Sequence, residues 1–173
     1  MGELKRLLGH LGPYRRDLLI AALMLFVETA FEVVIPVLMA DIIDVGVEMR
    51  DIPYIFHKGV QMGACAALAL ATGLLYARFA ARAAYGWGAR IRDAQFQRVQ
   101  AFAFSNLDHF ETSSLVTRMT TDVTVIQNAV NSGLRPLVRG PTMLVLGIGL
   151  SFWLNAELAM VFLVCLPILA VIL

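Results

Sequence analysis

Charge is scarce in these 173 residues: only 16% are Asp, Glu, Lys or Arg, where a soluble domain carries about 25%. With 59% hydrophobic residues and a mean hydropathy of +0.74, the composition excludes a water-soluble globule and fits a membrane protein. Neither sign dominates, because fourteen Lys plus Arg stand against thirteen Asp plus Glu. That balance lacks the basic footprint of a nucleic-acid binder. Cysteine is nearly absent, and Cys65 and Cys165 each sit in an apolar run without a Cys-x-x-Cys or His partner. A disulfide framework and a zinc site are therefore not expected, and both residues read as small buried hydrophobes. His10, His57 and His109 are scattered without ligand spacing, which argues against a metal centre. No Gly-x-x-x-x-Gly-Lys-Ser/Thr phosphate loop occurs, nor any αβ pattern to place one in, so the chain does not itself hold ATP in the P-loop manner.

What is present is a series of long apolar runs. The first gives a span over residues 17–43, and twenty-odd residues at about 1.5 Å each cover a bilayer core of about 30 Å. Glu28 and Glu32 interrupt it, unlike a secretory signal, so the segment is expected to be retained. A second span occupies 59–81, where the Gly59-x-x-x-Gly63 spacing permits close approach of a neighbouring helix. The third covers 140–156, with Arg139 at its edge, where a long side chain can snorkel to the interface. A fourth starts at residue 158 and is still apolar at Leu173, as expected of a chain cut inside that span. Before the first span, residues 1–12 carry Leu4, Leu7, Leu8 and Leu11 with Lys5 and Arg6, the pattern of an amphipathic helix lying in the interface.

The flanks set an expected orientation. Lys5, Arg6, Arg15 and Arg16 precede the first span, and Arg90, Arg92, Arg98, Arg118 and Arg135 lie between the second and third. Cytoplasmic loops carry that excess, so the N-terminus is expected inside. The loop with Asp41, Asp44, Glu48 and Asp51, and the turn Asn155-Ala156-Glu157, read as external.

Residues 82–139 are far longer than an ordinary helix connection of about two to eight residues and need their own structure. Helical spacing continues through Phe96, Val99 and Phe102, until Ser105-Asn106-Leu107-Asp108 supplies breaker and capping chemistry. On the return, Leu115, Met119, Val123, Ile126, Val130, Leu134 and Leu137 recur in steps of three and four, an apolar stripe on one helix face. The pattern predicts a long helical hairpin with its tip at residues 107–114, where an acid, a histidine, an aromatic ring and hydroxyls suit docking on another protein. The bland alternative is a solvated turn capped by Asp108 or Ser113.

The run from Phe110 and Glu111 through Thr112-Ser113-Ser114-Leu115-Val116-Thr117-Arg118-Met119-Thr120-Thr121-Asp122-Val123 resembles the first intracellular loop of exporter-type ABC transporters. Leu11-Gly12-Pro13-Tyr14, the stretch from Pro36 to Gly46, and Leu134-Arg135 with Arg139 and Pro141 are similar to other parts of that family's membrane domain. The usual Gly-acid pair is replaced by Ser113-Ser114, which looks more like the branch of heterodimeric multidrug exporters. The resemblance implies an all-α membrane protein, the ABC exporter-type helical domain with long cytoplasmic helix extensions. It implies a tip that rests on nucleotide-binding domains through Asp108, His109, Phe110, Glu111, Thr112 and Ser113. It also implies a second subunit, a small amphipathic substrate, a cell-membrane location, and ATP and magnesium held on domains outside this stretch.

Three further expectations concern particular residues. Glu28 and Glu32 share one face of the first span, where a lipid-facing carboxylate would cost about 2–3 kcal/mol. They either form an acidic patch on a translocation path or pair with Arg78 or Arg82. Arg118 and Asp122, four apart on the return arm, are expected to stiffen the hairpin, Arg118 by bonding across to the other arm or to the coupling tip. No catalytic residue is expected. The competing functional reading is a self-contained four-span scaffold without ATP coupling, whose hairpin recruits a cytosolic partner.

Overall fold

A computed structural model describes residues 11–101, 112–157 and 159–161. The expected interfacial helix up to residue 10, most of the hairpin tip, Cys165 and the fourth apolar run beyond 161 lie outside the described residues. A turn of 3-10 helix at Gly12–Tyr14 leads into α1 (Arg15–Asp41), which continues into a π turn at Ile42–Val47. Next come α2 (Ile52–Gln100), the short α3 (Thr112–Thr117), a second π turn at Arg118–Asp122, and α4 (Val123–Leu154). The fold is all-α, and three helices are long and apolar enough to cross a membrane.

At 49 residues, α2 amounts to about 74 Å of helix at 1.5 Å per residue, more than twice a hydrocarbon core of about 30 Å. Its alanine-rich middle favours this length through high helix propensity, and Arg98 in the last turn complements the helix dipole. Its start is fixed by Asp51, whose Oδ1 accepts a hydrogen bond from the Tyr54 amide at 3.2 Å. Ahead of that cap the chain reverses through Arg50 in the left-handed region (φ 54°), with the Asp51 amide donating to the Gly46 carbonyl at 3.0 Å. Asp51→Ala is expected to cost about 1 kcal/mol. Amide hydrogen exchange would register it as faster exchange confined to the first turn of α2.

The residues divide into two compact units, 1–24 with 73–136 and 25–72 with 137–173. In the first, Trp87, Ile91 and Val123 form a buried core against Leu11, Tyr14, Ile126 and Val130. Ala80, Ala83 and Ala84 on α2 are also buried, and their small side chains let neighbouring helices approach closely. Val123, Ile126 and Val130 of the expected apolar stripe thus pack inward, but Leu137 is 74% exposed. At the start of an apolar run, an outward leucine has lipid to face and needs no protein partner.

In the second unit, Lys58 of α2 meets Asp41 of α1 at 2.6 Å across the reversal. Gly46 is buried there, and a Cβ on it would collide with the Ile55 side chain. The glycine spacing singled out from sequence behaves differently. A Cβ at Gly59 or Gly63 would meet nothing within 4 Å, so among the described residues that face packs against no helix.

Candidate functional site

The second unit holds charged groups inside apolar helices. On α1, Glu28 is 6% exposed and Thr29 is fully buried, its hydroxyl donating back to the Leu25 carbonyl at 2.8 Å. That local bond satisfies the hydroxyl without a second helix. One turn on, Glu32 Oε2 lies 2.8 Å from an Arg139 terminal nitrogen on α4. The approach is off the direction of a good hydrogen bond, so the contact acts chiefly as an ion pair. It corrects one expectation: Glu32 takes its cation from Arg139 on α4 rather than from Arg78 or Arg82. Arg82 instead approaches Asp17 at 3.7 Å, with 70% of its side chain exposed, a geometry that contributes little. The physical reason is cost. In an apolar medium a carboxylate and a guanidinium are each expensive alone and pair when within reach.

Also in this unit, Ala30, Val33 and Val34 of α1 face Leu146, Leu150 and Trp153 of α4 around an almost wholly apolar groove of about 380 Å³. At 100° per residue these α1 positions lie roughly opposite Glu28 and Glu32 on the helix. The carboxylates and the groove are thus separate features of α1.

The first unit carries a polar contact between the two arms. Arg92 on α2 donates from Nε to the Met119 carbonyl at 3.3 Å, and from one terminal nitrogen to Thr124 Oγ1 at 3.0 Å and Gln127 Oε1 at 2.7 Å. Gln127 is 4% exposed, and its side chain fills the place that a Cβ on Gly88 would take. Arg118 and Asp122, expected to stiffen the hairpin, are both exposed and sit in the π turn. Among the described residues they form no ion pair with each other. Among the described residues, Arg92 bonds across, because its position on α2 faces the buried side of α4. Sequence reasoning counted Arg92 only as one of several basic residues. The available signal was Gln127, a polar side chain set directly beside the apolar stripe positions Ile126 and Val130.

Asp108, His109, Phe110 and Glu111 lie outside the described residues; Thr112 and Ser113 open α3. Among the described residues no three His, Cys, Asp or Glu side chains gather as metal ligands. The arrangement offers ion pairing and bracing.

Residues 18–173 match the family model described as ABC transporter transmembrane region. YfiB of Bacillus subtilis, an uncharacterised ABC transporter ATP-binding protein, is 35% identical over 166 residues, covering 96% of this chain and 29% of that protein. A relative of the same description from Mycobacterium tuberculosis is 31% identical over 162 residues, 94% of this chain and 28% of its own length. YknU of Bacillus subtilis is 27% identical over 177 residues, 99% of this chain and 29% of its own. The chain spans less than a third of the length of these relatives.

Proposed function

This chain belongs to the ABC transporter transmembrane region family, and on that premise we propose that it supplies the N-terminal part of the membrane domain of an ATP-driven exporter. The hairpin 82–139 points into the cytoplasm, and its tip, Asp108 to Ser113, rests on nucleotide-binding domains that hold ATP and magnesium. Closure of those domains pushes the tip, and the arms carry the motion to the membrane helices, which alternate between inward and outward access. The substrate is a drug, lipid or other amphipathic molecule, and Glu28, one turn before the Glu32–Arg139 pair, favours cationic ones. The Ser113-Ser114 pair favours an unlike second subunit.

The observation that carries this reading is the length of α2. Its 49 residues are more than twice the about 20 that suffice to span a bilayer, and the return arm packs on it with a buried seam at Val123. The relatives' description as ATP-binding proteins supports a nucleotide-driven partner. Reconstitution of the full-length protein in vesicles, with its partner subunit where one exists, tests the proposal. ATP-dependent uptake of an amphipathic cationic dye into inside-out vesicles is expected, and Glu28→Gln, which leaves the Glu32–Arg139 pair intact, should lower uptake of cationic dyes more than that of neutral ones. Equal loss for both dye classes would remove Glu28 from substrate selection. Uptake that ignores ATP would remove the exporter reading.

A further inference from the structure

Arg92 stands one helical turn beyond Gly88 on α2, and its contacts meet at an irregular point of the return arm. Its Nε donates to the carbonyl of Met119, which lies inside the π turn Arg118–Asp122. A π turn closes from i to i+5 and so holds one residue more than the α ladder accommodates. Carbonyls around such a bulge fall out of line with their usual donors and can accept from outside. Nearby hydroxyls are committed elsewhere: Thr120 Oγ1 donates to the Val116 carbonyl at 2.7 Å and Thr124 Oγ1 to the Thr120 carbonyl at 2.8 Å. The guanidinium ties this bulge to the opposite arm.

The other end of the tie is built to be firm. Gln127 is buried and takes the shortest of the Arg92 hydrogen bonds, 2.7 Å. It fits because residue 88 has no side chain. A planar fork of donors serves a carbonyl, a hydroxyl and an amide oxygen together, which a lysine ammonium on a flexible stem does not reproduce.

We propose that Arg92 is a positioning residue that latches the π turn 118–122 and so sets the rotational register of the hairpin segment leading into it. This deepens the exporter reading and rests on it, because that segment follows the proposed nucleotide-domain contact. If the extra residue were annealed into an α-helix, the chain on one side of the turn would rotate by about 100° and shift by about 1.5 Å. With Arg92 bonded, the bulge is held and a push at the tip moves the arm as a body. With Arg92 released, the push is absorbed by rewinding the turn.

The test uses the full-length protein in vesicles and compares wild type with Arg92→Ala, Arg92→Lys, Gly88→Ala and deletion of Thr121, which removes the extra residue. Each variant is expected to lower transport per ATP hydrolysed by about tenfold, within the range of coupling changes seen for residues that touch neither ligand. ATPase activity without substrate should stay within about twofold of wild type. Amide hydrogen exchange over residues 118–124 should accelerate in Arg92→Ala and Gly88→Ala and lose its difference between nucleotide-free and nucleotide-trapped protein. Folded Arg92→Ala and Gly88→Ala proteins with wild-type transport per ATP and unchanged exchange would overturn the latch. So would loss of fold in all four variants, which would make the contact purely structural. A wild-type protein that neither hydrolyses ATP nor transports would end the exporter reading, and the exchange result alone would then decide whether Arg92 holds the turn.

Discussion

Replacing Arg139 by leucine is expected to lower the yield of folded, membrane-inserted protein, because Glu32 would be left as a lone carboxylate within the apolar helices. Their separation of 2.8 Å makes the pair the main compensation for two charges that each cost about 2.5–3.5 kcal/mol near the middle of a bilayer helix. About a third of each side chain is exposed, so the loss should fall toward the lower end of that range. Removing both charges, Glu32→Gln with Arg139→Gln, should recover most of the yield, since a matched neutral pair carries no uncompensated charge. Quantitative fluorescence-detected gel filtration of wild type, Glu32→Gln, Arg139→Gln and the double variant, a closed double-mutant cycle, measures this. Equal losses for the single and double variants would mean that the two side chains do not compensate each other.

Trp87→Ala is expected to be the most damaging single truncation in the first unit. Trp87 is 4% exposed and packs with Ile91 and Val123 at the point where α2 meets the return arm. Emptying such a site costs about 3–5 kcal/mol, from lost transfer energy together with the cavity left behind. A marked fall in thermal midpoint in detergent should accompany faster hydrogen exchange across 84–91 and 119–130. Leu137→Ala serves as the control, because that side chain is 74% exposed and its truncation creates no cavity. If Trp87→Ala melted like Leu137→Ala, the core between the arms would not be what holds them together.

Much of this fold was legible in the sequence because bilayer crossing and helix pairing leave periodic signals. The apolar runs at 17–43, 59–81 and 140–156 overlap α1, α2 and α4, the first ending in the π turn after α1 and the third running two residues past α4, and Val123, Ile126 and Val130 mark the buried face of the return arm. Close approach of helices was harder to locate. The Gly59 and Gly63 spacing attracts notice but borders open space, whereas Gly46, Gly86 and Gly88, in no such spacing, are where side chains from another element occupy the place of a Cβ. Spacing records which residues share a face, and only three-dimensional register says which face meets a neighbour.

The polar contacts were the least legible. Glu32 and Arg139 are far apart in the chain, and nothing local to either names the other. Arg92 sits among several arginines, and a π turn has no sequence signature that would have placed Met119 within its reach. Arg118 and Asp122 looked paired because four residues is one α turn, but the π turn they occupy widens that step and both face outward. Local spacing rules hold only while the helix stays regular.

If the hairpin delivers the work of a nucleotide-binding domain to the membrane helices, as proposed, its tip must touch that domain, and cross-linking there decides the matter. A cysteine placed at His109, in the full-length transporter with its accessible cysteines replaced, should form a cross-link to a nucleotide-binding domain. The amount should change when ATP is trapped. If residue 109 instead reacts only with a lipid-soluble reagent and joins no nucleotide-binding domain in any nucleotide state, the hairpin is not the lever and the account is wrong.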